Sequence, residues 1–200
     1  MTYPIDKTYF QELARQDPDG ICRRVKCKYN HVNRCYTLSA WGDEYALYPH
    51  EFRIDRMDKN ARNPHDFFYL FIIYYLLKSK NVDLSAEWIS EKDIPGGATF
   101  FRGPHEIPTY LICSQYGNNI EAFRIKCEQL HGSPLDMADA AYRFEITPRI
   151  HAAVLYWAGD DDFPPEAKIL YDKSITEHLS ADIIFALAME ICTRIGKTIG

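Results

Sequence analysis

The sequence predicts an α+β fold: an antiparallel sheet built from an N-terminal hairpin and C-terminal strands, with helices inserted between them and packed on one face. Three observations predict it. Two-residue alternation of apolar and polar side chains marks strands at Cys35–Ser39, Glu44–Tyr48 and Ala141–Thr147. Apolar spacing of three and four residues marks helices near the N-terminus and at the C-terminus. The strand-like runs fall in two blocks, and the long stretch between them reads mostly as helix, which is the α+β pattern.

Taken in order, "YFQELARQ" (Tyr9–Gln16) sets Phe10, Leu13 and Ala14 on one helical stripe. "DPDG" (Asp17–Gly20) is expected to stop it, and "ICRRV" (Ile21–Val25) to form a second short helical piece. The two alternating runs that follow make a hairpin, with Gly42-Asp43 as its expected turn. In "NPHDFFYLFIIYYLLKSK", Asn63 suits an N-cap, Pro64 the first helical position and Asp66 the positive end of the helix dipole, with Lys78 and Lys80 at the other end. Apolar residues all round predict a helix packed on most sides. Its tyrosines, Tyr69, Tyr74 and Tyr75, are expected at the rim of the core with hydroxyls in water.

"LSAEWISEKDIPGGATFF" (Leu84–Phe101) fits neither template. Pro95-Gly96-Gly97 breaks regular structure and permits close backbone approach, but no Lys-Ser/Thr pair follows to make a phosphate loop. Helices are expected over Glu106–Tyr116 and Ile120–His131, the latter closed by Gly132. In the next strand Tyr142, Phe144 and Ile146 share one face. Ile150–Ala158 is apolar on both faces, as a central strand requires, and Ala167–Asp172 is the last strand. Ser180 is placed to cap a closing helix that runs to Ile195.

The bulk numbers set limits. Two hundred residues suit a single domain spanning 1–200. A net charge of −5 argues against a nucleic-acid partner, and the one basic run, Arg23–Lys28, reads as a solvated helix end. The most apolar run, Phe67–Leu77, is 11 residues, too short to span a membrane, and the first residues lack an apolar signal core. A cytoplasmic protein is expected. Its six cysteines are then reduced; Cys22, Cys27 and Cys35 read C-x4-C-x7-C, unlike the tight pairs of zinc sites, and behave as small hydrophobes.

The stretches "LSAEWISEKDIPGG" and "GSPLDMADAAYRFEITPRIHAAVLYWAGDDDFPPEAKILYDKSITEHLSADIIFAL" resemble, in order and spacing, a bacterial and archaeal family called domain of unknown function 3786. Its members typically read L-S-G-E-x-x-S-x-x-x-L-P-G-G, then W-x-G-D-x-E-F-P-P, a strand ending L-F-D and a terminal helix. This chain has Ala86, Ile94, Asp162 and Tyr171 where that pattern has Gly, Leu, Glu and Phe. The resemblance covers nearly the whole chain and supports the fold. In some relatives the domain accompanies an iron–sulfur segment, which implies a setting in anaerobic cofactor metabolism; Cys22, Cys27 and Cys35 lack that segment's spacing.

Chemistry, if any, is expected at "WAGDDDFPP" (Trp157–Pro165). One reading is a rigid turn in which Asp160–Asp162 bond their own backbone N–H groups and Phe163 tucks into the core. Others are a ligand site or a hard-cation site, although the D-x-D-x-D-G calcium spacing is absent. Hairpin pairing of the flanking strands places Asp172 at the opposite end from Asp160. The preferred function is a non-catalytic binding or accessory domain for a small cofactor or protein partner. Its expected lining is Glu87, Trp88, Gly96, Gly97, Trp157, Asp160, Asp162 and Phe163. The alternatives are a divalent-metal enzyme using Asp160–Asp162 with Asp172 or His178, and an oligomerising module. No G-x-S-x-G nucleophile elbow and no paired histidine motif occurs.

Overall fold

The computed structural model describes residues 5–58 and 64–196. Two short helices open the chain, α1 (Lys7–Ala14) and α2 (Pro18–Val25). Asp17-Pro18-Asp19-Gly20 starts the second helix as well as stopping the first. The Asp17 carboxylate caps it by accepting from the Gly20 N–H at 2.8 Å, and Pro18 sits where a missing N–H costs nothing.

Four strands follow, β1 (Lys28–Asn30), β2 (Cys35–Ala40), β3 (Asp43–Tyr48) and β4 (Arg53–Arg56), forming an antiparallel sheet in that order. The hairpin turn is Trp41-Gly42, one residue earlier than expected, because Ala40 pairs with Asp43. Both turn residues have positive φ (48° and 78°), as a hairpin of right-twisted strands demands. Next come α3 (Asp66–Lys78), β5 (Trp88–Ile89), α4 (Gly97–Phe100), α5 (Tyr110–Tyr116) and α6 (Ile120–Gln129). Asn63 lies outside the described residues; at the described start of α3, the His65 ring accepts from the Phe67 N–H at 3.2 Å. α5 begins later than its sequence suggested, because the residue before Pro108 is driven out of helical conformation.

The C-terminal block supplies β6 (Ser133–Leu135), β7 (Ala140–Thr147), β8 (Ile150–Trp157) and β9 (Glu166–Asp172), then α7 (Ile175–His178) and α8 (Ala181–Ile195). Its sheet runs β5-β9-β8-β7-β6, all antiparallel, with β8 in the middle. The fold is therefore α+β, but the one sheet expected from both blocks is two, because β1–β4 pair only among themselves and β5, from the stretch between the blocks, completes the second. The sheets meet where the Trp41 N–H donates to the Ile146 carbonyl at 2.7 Å.

One contiguous buried cluster draws on both sheets and on α3, α5, α6 and α8. Tyr142, Phe144, Ile146, Val154, Tyr156 and Tyr171 face this cluster, while Ala141, Ala153, Leu155 and Leu170 form a smaller one on the sheet's other face. That division explains why β8 is apolar on both sides. Tyr75 corrects the expectation of a rim: it is fully buried, and its hydroxyl donates to the Val25 carbonyl at 3.0 Å. Tyr69 and Tyr74 are half-buried, and the Ser180 hydroxyl donates to Tyr74 Oη (3.2 Å) rather than capping α8.

Candidate functional site

The acidic corner between β8 and β9 is held by its own backbone. Asp160 Oδ1 accepts from the Asp162 and Phe163 N–H groups at 2.9 and 2.7 Å, and the Asp160 N–H donates to the Phe163 carbonyl at 2.9 Å. This is an Asx turn, the local device that places aspartates in turns. A Cβ at Gly159 would lie 2.8 Å from Pro165 N and 2.9 Å from Asn118 Oδ1, so the bend needs glycine. Phe163 departs from its expected place in the core. It is 71% exposed, because the tight turn projects it away from the sheet.

Antiparallel register sends the other acidic residue away. Trp157 pairs with Glu166, whereas Tyr171 pairs with Ala152, so Asp172 lies about 20 Å from the corner at strand rise. There it gathers five donors. Oδ1 accepts from the Ser85 and Ser174 N–H groups (2.9 and 3.0 Å) and from both hydroxyls (2.9 and 2.6 Å), and Oδ2 accepts from the Ala86 N–H at 2.8 Å. Burial pushes the carboxyl pKa up, but the bonds from Ser174 and Ser85 outweigh it and hold the group below its ordinary value.

The same end carries Glu87 and Trp88. Trp88 pairs with Asp172, the Lys173 N–H donates to the Glu87 carbonyl (2.8 Å), and the Lys173 ammonium meets the Glu87 carboxylate (2.8 Å). Buried Arg149 donates to the Arg24 and Val82 carbonyls and to the Asp83 and Asn81 side chains. His178 Nδ1 accepts from the Lys80 N–H at 3.2 Å, and burial holds its pKa down, so the ring is the neutral Nε2–H tautomer. His178 thus secures a loop. These contacts tie residues 79–87 to the sheet, and Asp172, Ser85, Ser174 and Arg149 are its anchors. Sequence reading missed that role, although an arginine between Pro148 and the start of a central strand at Ile150 was a signal.

The glycines at 96 and 97 also serve the chain itself. Gly96 sits at φ +76°, and a Cβ on Gly97 would stand 1.9 Å from the Glu91 carbonyl oxygen. The close approach expected there is an internal one. The eight expected site residues therefore do not share one hollow. Glu87 and Trp88 lie at one end of the sheet, and Trp157, Asp160, Asp162 and Phe163 at the other. Trp88 and Trp157 both flank the small apolar cluster on the outer sheet face.

Three grooves among those formed by the described residues bear on the site. The roomiest, about 630 Å³, lies between the segment Gly103–Tyr110 and α8, with Phe67, Phe185 and Met189 as its far wall. The His105 ring stacks on Phe100 (centroids 4.5 Å apart) and meets Phe185 edge-on at 5.5 Å. A second groove of about 290 Å³ shares Glu106, Ile107 and Thr109 with it and reaches Glu166–Ile169 of β9. The third, about 330 Å³, lies beside the Trp41-Gly42 turn. None of the three is lined by the eight expected residues. Among the described residues, no group of three or more His, Cys, Asp or Glu side chains is placed to hold a metal ion. No helix among them is long and apolar enough to cross a membrane.

The family model for the domain of unknown function DUF3786 matches residues 17–194, and the chain belongs to that family. No curated protein matches the chain, and no solved structure matches it.

Proposed function

We propose that this chain is a non-catalytic binding or accessory domain that takes an organic ligand with a flat ring system and polar substituents in the groove between Gly103–Tyr110 and α8. One observation carries the reading. A concavity of about 630 Å³ falls in the range of small-molecule sites, and its walls set aromatic rings and a thioether beside a comparable share of polar surface. Phe67, Tyr110, Phe185 and Met189 offer faces on which a planar ring system stacks. His105, Glu106 and Thr109 supply polar groups that would orient it.

This proposal moves the site from the acidic corner to a surface built of three separate segments. The corner gives less support to a divalent-metal reading, because Asp160 Oδ1 already accepts two backbone N–H groups. The setting in anaerobic cofactor metabolism rests on the family resemblance alone.

The test is thermal denaturation and calorimetry of the whole chain with cobalamin, flavin mononucleotide and adenine nucleotides. A ligand present at 100 times its Kd stabilises by about 2.7 kcal/mol, a Tm rise of about 5–10 °C for a chain of this size. Tyr110→Ala, which removes a 63% exposed ring, should abolish that rise while leaving the free protein's Tm unchanged. No rise with any compound, or the same rise in the variant, overturns the proposal.

A further inference from the structure

The geometry points to a dithiol/disulfide site: we propose that Cys22 and Cys27 exchange with small-molecule disulfides to form a reversible internal bridge across the α2–β1 junction. The six cysteines are free, and the Cys27 thiol lies 3.5 Å from Cys22 Sγ. The closeness has a local cause. Lys26 ends α2 in the left-handed conformation (φ +58°) and folds the chain back, so Cys27 returns against the helix body that carries Cys22. A disulfide needs its sulfurs about 2.05 Å apart, so the pair must close by only about 1.5 Å. Both side chains are half-buried, which leaves Cys22 open to a small reagent. Burial pushes both thiols up in pKa, so exchange is slow and the incubation must be long enough to reach equilibrium.

The exchange balances as follows. Cys22 loses its proton to solvent and attacks one sulfur of the external disulfide, releasing one thiolate. Cys27 loses its proton and attacks the Cys22 sulfur of the mixed disulfide, releasing the second. The protein dithiol is oxidised by two electrons, and the external disulfide is reduced to two thiols.

The junction is also a joint of the fold. Between the cysteines, Arg24 donates to the Leu76 and Leu77 carbonyls (2.9 and 3.2 Å) and to that of Ser79 at the end of α3, and its own carbonyl accepts from Arg149 at 3.1 Å. A bridge would therefore brace the turn that holds the end of α3 to the second sheet.

The test is equilibration of the whole chain in glutathione buffers from about 1000:1 to about 1:1 reduced to oxidised, followed by acid quenching, thiol labelling and intact mass. The expected product carries two labels fewer than the reduced protein, with no glutathione added. Unreduced trypsin digestion should yield Gln16–Arg23 joined to Cys27-Lys28, since Arg23, Arg24 and Lys26 lie between the thiols. The oxidised form should melt about 4–9 °C higher. Cys22→Ser and Cys27→Ser should each lose the bridge and stop at a mixed disulfide. Six labels at the most oxidising ratio, mixed disulfides only in the unmodified sequence, or a bridge between other cysteines would each overturn the proposal.

Discussion

Replacing Asp172 by Asn should unhook residues 84–87 and destabilise the whole fold. The carboxylate is 4% exposed and accepts five hydrogen bonds, four of them on one oxygen. An amide at the same place has no charge. In one orientation it turns an NH₂ group toward the Ala86 N–H, and in the other toward the two serines. Hydrogen bonds to a charged group contribute about 1.5–3 kcal/mol each, but five on one carboxylate are far from additive, and some donors are regained by water. The expected loss is about 2–4 kcal/mol, a fall in Tm of about 4–16 °C for a 200-residue chain.

The pH dependence gives a second signature. The carboxyl pKa is lower in the folded chain than in the unfolded one, so its stabilisation is complete above the unfolded value of about 3.9 and lost as pH falls through the folded value. The gap between wild type and Asp172→Asn should therefore be full at pH 7 and narrow below about pH 3.9. Urea unfolding at pH 7 measures the stability, and hydrogen exchange reads the Ser85, Ala86 and Ser174 amides directly. Asp172→Asn within about 0.5 kcal/mol of wild type, with those amides still protected, would refute the argument that this carboxylate anchors the loop.

Ala86 sits at φ +60°, where its Cβ is strained, so Ala86→Gly should raise stability by about 1 kcal/mol, visible as a higher urea midpoint at unchanged slope. Gly97→Ala should cost about 3 kcal/mol or more, because its Cβ would collide with the Glu91 carbonyl; Gly96→Ala, with nothing within 4 Å, should cost only the left-handed strain of about 1–2 kcal/mol. Burial lowers the pKa values of His65, His151 and His178, so the unfolded chain takes up protons first on acidification. Stability should hold above about pH 6.5 and decline as pH falls toward 5, and His178→Gln should flatten part of that slope in a pH series of urea midpoints.

The regular elements were readable because each is a short-range pattern. The alternation in β7, the two-sided apolar run of β8 and the apolar periodicity of α8 each depend on residues a few positions apart. The acidic corner was readable too, since Asp160 bonds groups two and three residues on. The hairpin turn slipped by one residue because Trp41, a side chain that rarely adopts positive φ, holds that conformation beside Gly42. Phe163 was misplaced because apolar character alone does not say which way a tight turn will point its last residue.

By itself the sequence determined the fold class, the principal helices and strands and their order, the middle position of β8 and the family, since hydrophobic period and turn chemistry act over a few residues; the short strands β1, β4, β5 and β6 it did not. Tertiary structure alone decided which groups meet. Asp172 finds Ser85 across 87 positions, and the groove joins Phe67, Gly103–Tyr110 and Met189. Contacts of that kind are set by packing and strand register, and no local pattern in the chain encodes them.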